Sequence, residues 1–67
     1  MKVLIVDDER AIRRALKEIL EYENCQVLEA ENGKEGLEMI RSNSLDVIFR
    51  KYRFLIVNRK PKPLYQI

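Results

Sequence analysis

Apolar and polar positions alternate in blocks along the chain, and the period of the pattern changes from block to block. Lys2 to Val6 is a run of β-branched residues and Leu, stopped abruptly by Asp7, Asp8 and Glu9. A short unbroken apolar run predicts a strand buried on both faces, as parallel strands are. Ala11, Ile12, Ala15, Leu16, Ile19 and Leu20 then recur at helical spacing. Arg10, Arg13, Arg14, Lys17, Glu18 and Glu21 occupy the other face, which predicts an amphipathic helix. Asp7 or Asp8 is the expected cap, and acids suit the positive end of the helix dipole.

Glu23 and Asn24 read as a turn, and Gln26 to Ala30 as a second strand. Asn32 followed by Glu35 fits a capping pattern, with a shorter helix carrying Leu37, Met39 and Ile40 and ending near Arg41. Ser42 to Ser44 is a polar turn, and Leu45 to Phe49 is a third apolar run. The order strand, helix, strand, helix, strand predicts an α/β fold: a parallel sheet of about three strands with two crossover helices. Tyr52 to Val57 holds a further candidate strand, whose place in the sheet the pattern leaves open. Lys60-Pro61-Lys62-Pro63 fits neither a helix interior nor a central strand, so Asn58 to Ile67 reads as an exposed tail.

With 67 residues the chain is at most one domain, and one this small is marginally stable. Its 46% apolar content argues against disorder from end to end. The single cysteine, Cys25, permits no intrachain disulfide and reads as a small apolar side chain near a strand start. The apolar run before the acids is too short for a signal peptide, and no stretch approaches a bilayer span, so a cytoplasmic, non-membrane protein is expected.

Charge divides the chain. Met1 to Phe49 carries eleven acids and seven bases, whereas Arg50 to Ile67 carries six bases and no acid. The expected organisation is therefore residues 1–49 as one unit and 50–67 as an irregular basic segment.

The acids after the first strand carry the candidate chemistry. In an open parallel sheet, ligands bind beyond the carboxyl ends of the strands, where Asp7 and Asp8 fall. Two adjacent carboxylates there suit a hard cation such as Mg²⁺, which takes one or two carboxylates plus waters and phosphate oxygens. Helix capping is the competing role for the pair. Glu9 reads as a solvated first-turn acid.

The segments "KVLIVDDERAIRRALKEIL", "VLEAENGKEGLEMI" and "LDVIF" together resemble the N-terminal part of a response-regulator receiver domain of bacterial two-component signalling. The resemblance covers Met1 to about Phe49. It implies an incomplete flavodoxin-like fold and phosphoryl transfer from a histidine kinase or phosphotransfer protein to an aspartate, with Mg²⁺ held partly by Asp7 and Asp8. Asn32 and Gly33 match a structural turn of the family, and Asp46 begins its third strand.

The acceptor aspartate of the family lies five residues after the position of Asp46. Here that residue is Lys51, and no Asp or Glu follows Asp46. A lysine ammonium cannot form an acyl phosphate, so the chain is expected not to accept phosphate and not to act as an enzyme. The family's later Thr or Ser, aromatic switch residue and Lys have no match. Beside Asp7 and Asp8, the Lys51 charge would oppose Mg²⁺ and could replace it electrostatically. A third strand left at the sheet edge would be a liability.

Two further functions are open on the sequence. One is a non-catalytic kinase-binding or protein-interaction module that retains the surface of Ala11 to Leu20. The other is nucleic-acid binding by Arg50 to Lys62, where Tyr52 and Phe54 interleave with bases. A solvated basic tail is the preferred explanation of the latter segment, since charge alone gives only salt-sensitive, non-specific binding. A dinucleotide site is disfavoured, because acids stand where a Gly-rich phosphate loop is needed.

Overall fold

The computed structural model describes residues 1–51 and 53–57. The elements run β1 (Lys2–Val6), α1 (Arg10–Tyr22), β2 (Gln26–Ala30), α2 (Gly33–Ser42), β3 (Val47–Arg50) and β4 (Arg53–Ile56). The sheet order is β2-β1-β3-β4. β1 lies between β2 and β3 and is parallel to both, with Val3 opposite Val27 on one side and Val47 on the other. This is the mostly parallel sheet of an incomplete flavodoxin-like fold, with the two crossover helices that the apolar periodicity predicts.

Each helix covers its own face of the sheet. Leu4, Val6, Ala30, Leu45 and Ile48 form one buried cluster, against which Met39 of α2 packs. Val3, Ile5 and Phe49 form the other, against Leu16 and Leu20 of α1. β1 therefore contributes alternate residues to two cores, which is why Val3 to Val6 is apolar without a break. α2 approaches β1 closely at Gly36. A Cβ there would lie 3.1 Å from Cγ2 of Val6, a stiff β-branched side chain.

Local chemistry sets the helix ends. Asn32 accepts a hydrogen bond from the Glu35 amide at 2.9 Å, and the Glu35 carboxylate accepts one from the Glu31 amide at 3.0 Å. This is the capping arrangement the sequence predicts. α1 stops where Asn24 turns left-handed, with φ 65°. The Cys25 amide then donates to the Leu20 carbonyl, and the Asn24 amide to the Glu21 carbonyl, both at 3.0 Å. Those two bonds define a Schellman stop.

Three expectations change. First, neither Asp7 nor Asp8 caps α1. Glu9 is the N-cap and makes no side-chain capping bond. Oδ1 of Asp7 instead accepts from the Glu9 amide at 2.8 Å, a turn bond that competes with capping. Second, Arg13 is buried, at 7% exposure, rather than on the solvent face. It lies three and seven residues before Leu16 and Leu20, on the border of their stripe, while Ile19 is 61% exposed.

Third, the candidate strand that the pattern left unplaced joins the sheet as a fourth strand. β3 runs to Arg50, and a hairpin returns through Lys51, which has φ 47°, to β4. β4 pairs antiparallel with β3, setting Phe54 opposite Phe49 and Arg53 opposite Arg50. The edge of β3 is therefore covered, and the start of the basic segment is regular structure. The expected tail, Asn58 to Ile67, lies outside the described residues, as does Tyr52. Among the described residues no helix is long and apolar enough to cross a membrane.

Candidate functional site

The carboxyl ends of β1 and β3 lie side by side, since Val6 is opposite Arg50 in the parallel register. The residues that follow, Asp7 and Lys51, therefore emerge at the same rim. A pocket of about 180 Å³ opens there, lined by Val6, Asp7, Asp8, Glu31, Asn32, Gly33, Arg50 and Lys51. The sequence-predicted acid pair and Lys51, the residue expected at the acceptor position, are thus brought to one cavity. Asp7 is half-buried and Asp8 exposed.

The acid loop is held from beneath. Nη1 of Arg13 donates to the carbonyl oxygen of Asp7 at 2.7 Å, and its Nε donates to the Glu29 carboxylate at 3.3 Å. Lys17 adds a second ion pair to Glu29 at 3.6 Å. Arg13 thus ties α1, β2 and the end of β1 together. Periodicity counted it among the solvated bases, although its place beside the Leu16 and Leu20 stripe was a legible signal. The start of β3 is fixed equally well. The Lys2 amide donates to the Asp46 carboxylate at 2.8 Å, and the Asp46 amide donates to the Lys2 carbonyl at 2.9 Å.

The carboxylates of Asp7, Asp8 and Glu9 offer oxygens that all lie within 4.8 Å of one another. Opposite ligands of an octahedral Mg²⁺ stand about 4 Å apart, so the group fits such an ion after small side-chain shifts. Glu9, set aside in the sequence reading, belongs to this trio. Glu31 was also missed and lines the pocket from the end of β2. β3 contributes no carboxylate. Arg50 and Lys51 bring two positive charges to the same cavity. The cavity thus sets acids on its β1 side against the bases Arg50 and Lys51 on its β3 side.

A model of the response regulator receiver domain family matches residues 3–53 of the chain. The chain is also similar to the transcriptional regulatory protein SrrA of Staphylococcus aureus. In strains NCTC 8325 / PS 47 and COL alike, the two are 49% identical over 43 residues. The similar region covers 64% of this chain but only 18% of the relatives' length. No solved structure matches it significantly. The strand-end acid pair, the two-faced parallel sheet and this match agree: the chain belongs to the response regulator receiver domain family.

Proposed function

We propose that the chain is a receiver-type module of a cytoplasmic two-component phosphorelay that engages a histidine kinase or phosphotransfer protein without accepting its phosphoryl group. The observation that carries this reading is Lys51, which follows β3 at the acceptor position and lines the acid pocket. Acceptance requires a carboxylate oxygen to attack phosphorus while the P–N bond of a phosphohistidine breaks. A protonated lysine has no lone pair to offer, and its charge competes for Asp7 and Asp8. The chain is accordingly a binding element and not a catalyst.

Asp7 and Asp8, with Glu9 beside them, are the residues that would hold Mg²⁺. When bound, the ion supplies charge neutralisation to phosphate oxygens. Lys51, in the same pocket, supplies part of that positive charge when the ion is absent.

α1 supplies the docking surface in this reading. Ala11, Ala15 and Ile19 line an exposed stripe one turn apart, continued by Tyr22, which is 87% exposed. Mixing the chain with a phosphorylated histidine kinase that serves the 49%-identical relative tests both parts. Binding that weakens when Ile19 is changed to Glu, with no label reaching the chain, is the expected result. Label on the chain contradicts the proposal.

A second reading takes Arg50, Lys51 and Arg53, all exposed around the hairpin, as the start of a nucleic-acid contact. A salt titration with single-stranded and duplex DNA separates it: tight, salt-sensitive binding favours this reading over docking through α1.

A further inference from the structure

β4 is the last strand of the sheet among the described residues, and its four residues are all exposed. Phe54, Leu55 and Ile56 are 65%, 56% and 62% exposed, an unusual composition for an open edge. Natural edge strands are blunted by charges, proline or bulges, and Phe54 to Ile56 contains none of these.

The ladder fixes which backbone groups face outward. The Val57 amide donates inward to the Asp46 carbonyl at 2.9 Å. Antiparallel pairing alternates, so Leu55 also turns its N–H and C=O toward β3. Phe54 and Ile56 turn theirs away from the sheet. The outer edge thus offers two donor–acceptor residues spaced two apart, with Leu55 between them.

That edge is self-complementary. We infer that β4 pairs antiparallel with β4 of a second copy about a two-fold axis at Leu55, joining two four-stranded sheets into one of eight. Phe54 then lies opposite the partner's Ile56, and Ile56 opposite the partner's Phe54, each pair exchanging two backbone hydrogen bonds. Leu55 meets the partner's Leu55 on the other face. Apolar cross-strand pairs of this kind stabilise a sheet.

Charge does not oppose a second copy in this register. Arg53 falls opposite the partner's Val57, so the two arginines do not meet, and their repulsion does not oppose the pairing. The other edge of the sheet, β2, carries Gln26 and Glu29 and lacks this apolar run. The inference does not depend on whether Lys51 blocks phosphoryl acceptance.

A four-residue strand makes an interface below the standard size, so association is weak and concentration-dependent. Analytical ultracentrifugation of the full chain from about 10 µM to about 1 mM brackets that range. The expected result is a monomer converting to a dimer, with Ile56→Pro and Ile56→Lys shifting the midpoint at least tenfold upward. Proline at position 56 removes only an outward-facing N–H, so pairing with β3 survives. Circular dichroism checks that both variants remain folded. If either unfolds, Leu55→Cys on a Cys25→Ser background replaces it. The two thiols then meet on the two-fold axis and cross-link, whereas Arg53→Cys on that background does not. A wild-type chain that stays monomeric throughout overturns the inference. So does a dimer or larger aggregate that both folded Ile56 variants leave unchanged, or cross-linking that is equal at positions 53 and 55.

Discussion

The ring of Phe54 meets the ring of Phe49 edge-on, with centroids 4.6 Å apart and planes at 63°. The receiver family match runs through Phe49 to Arg53, and Phe54 is the first residue beyond it. The contact ties β3 and β4 into one sheet. Phe49 is buried at 7% and shared with the α1 face of the core. Phe49→Ala is expected to cost about 3–5 kcal/mol, enough to unfold so small a domain. Phe54→Ala costs less, because that ring stays largely exposed. A double-mutant cycle in urea with the milder Phe49→Leu should give a coupling of about 0.5–1.5 kcal/mol. A coupling near zero would remove β4 from the folded unit.

Arg13 is the second test of the fold, because it holds the acid loop without belonging to it. Arg13→Met keeps the apolar stem but leaves the Asp7 carbonyl without its donor and the Glu29 carboxylate with Lys17 alone. A loss of about 1–3 kcal/mol is expected in chemical denaturation. Backbone NMR shifts should change at Asp7 and Asp8 as well as on α1. Arg13→Lys should not restore both contacts, since one ammonium cannot reproduce the guanidinium fork. Changes confined to α1 would mean that the acid loop is positioned independently.

The carboxylate trio predicts weak Mg²⁺ binding. Titration followed by backbone NMR should move Asp7, Asp8 and Glu9, and Asp7→Asn with Asp8→Asn should abolish the response. Lys51→Ala should tighten binding several-fold, since it removes a positive charge from the same pocket. Shifts confined to residues after Asp46 would place the ion elsewhere.

Much of this molecule was legible in its sequence. β1 and β2 fall where the apolar runs fall, at Lys2–Val6 and Gln26–Ala30. α2 begins where the Asn32–Glu35 pair marks it. What the pattern could not show was three-dimensional. Arg13 borders the Leu16 and Leu20 stripe on a helical wheel, which hints at burial, but only the positions of Asp7 and Glu29 make it a tie. Asp7 is a favoured cap by type, yet its carboxylate closes a turn onto Glu9. The strand pattern of Tyr52 to Val57 was visible, but its antiparallel return depends on a left-handed Lys51, a conformation that lysine does not advertise. Nor did Glu9 carry a local signal for the carboxylate trio, or Glu31 one for the pocket it lines.

The change of charge at Arg50 carries a prediction about origin. Acids vanish, a Lys-Pro-Lys-Pro run appears and a lysine stands where the resemblance expects the acceptor aspartate, all after Phe49. We propose that Arg50 to Ile67 is read in a shifted frame or follows a rearrangement. Translating the coding DNA downstream of the Phe49 codon in the other two frames should give an Asp-containing strand end, a proline step and an Asp-Gly turn. If neither frame does so, and the purified chain melts cooperatively, residues 50–67 evolved as part of a compact binding module.

The central claim is that the chain, with Lys51 at the proposed acceptor position, accepts no phosphoryl group. It is tested most directly by intact-mass spectrometry of the full chain after incubation with Mg²⁺ and a small-molecule phosphodonor. The wild-type chain should carry no hydroxylamine-labile phosphoryl group. Lys51→Asp alone should also stay unlabelled. With position 51 changed, the pocket retains carboxylates and Arg50 but, among its described residues, neither a hydroxyl nor a lysine to position a phosphoryl. A hydroxylamine-labile adduct on the wild-type chain would contradict the account.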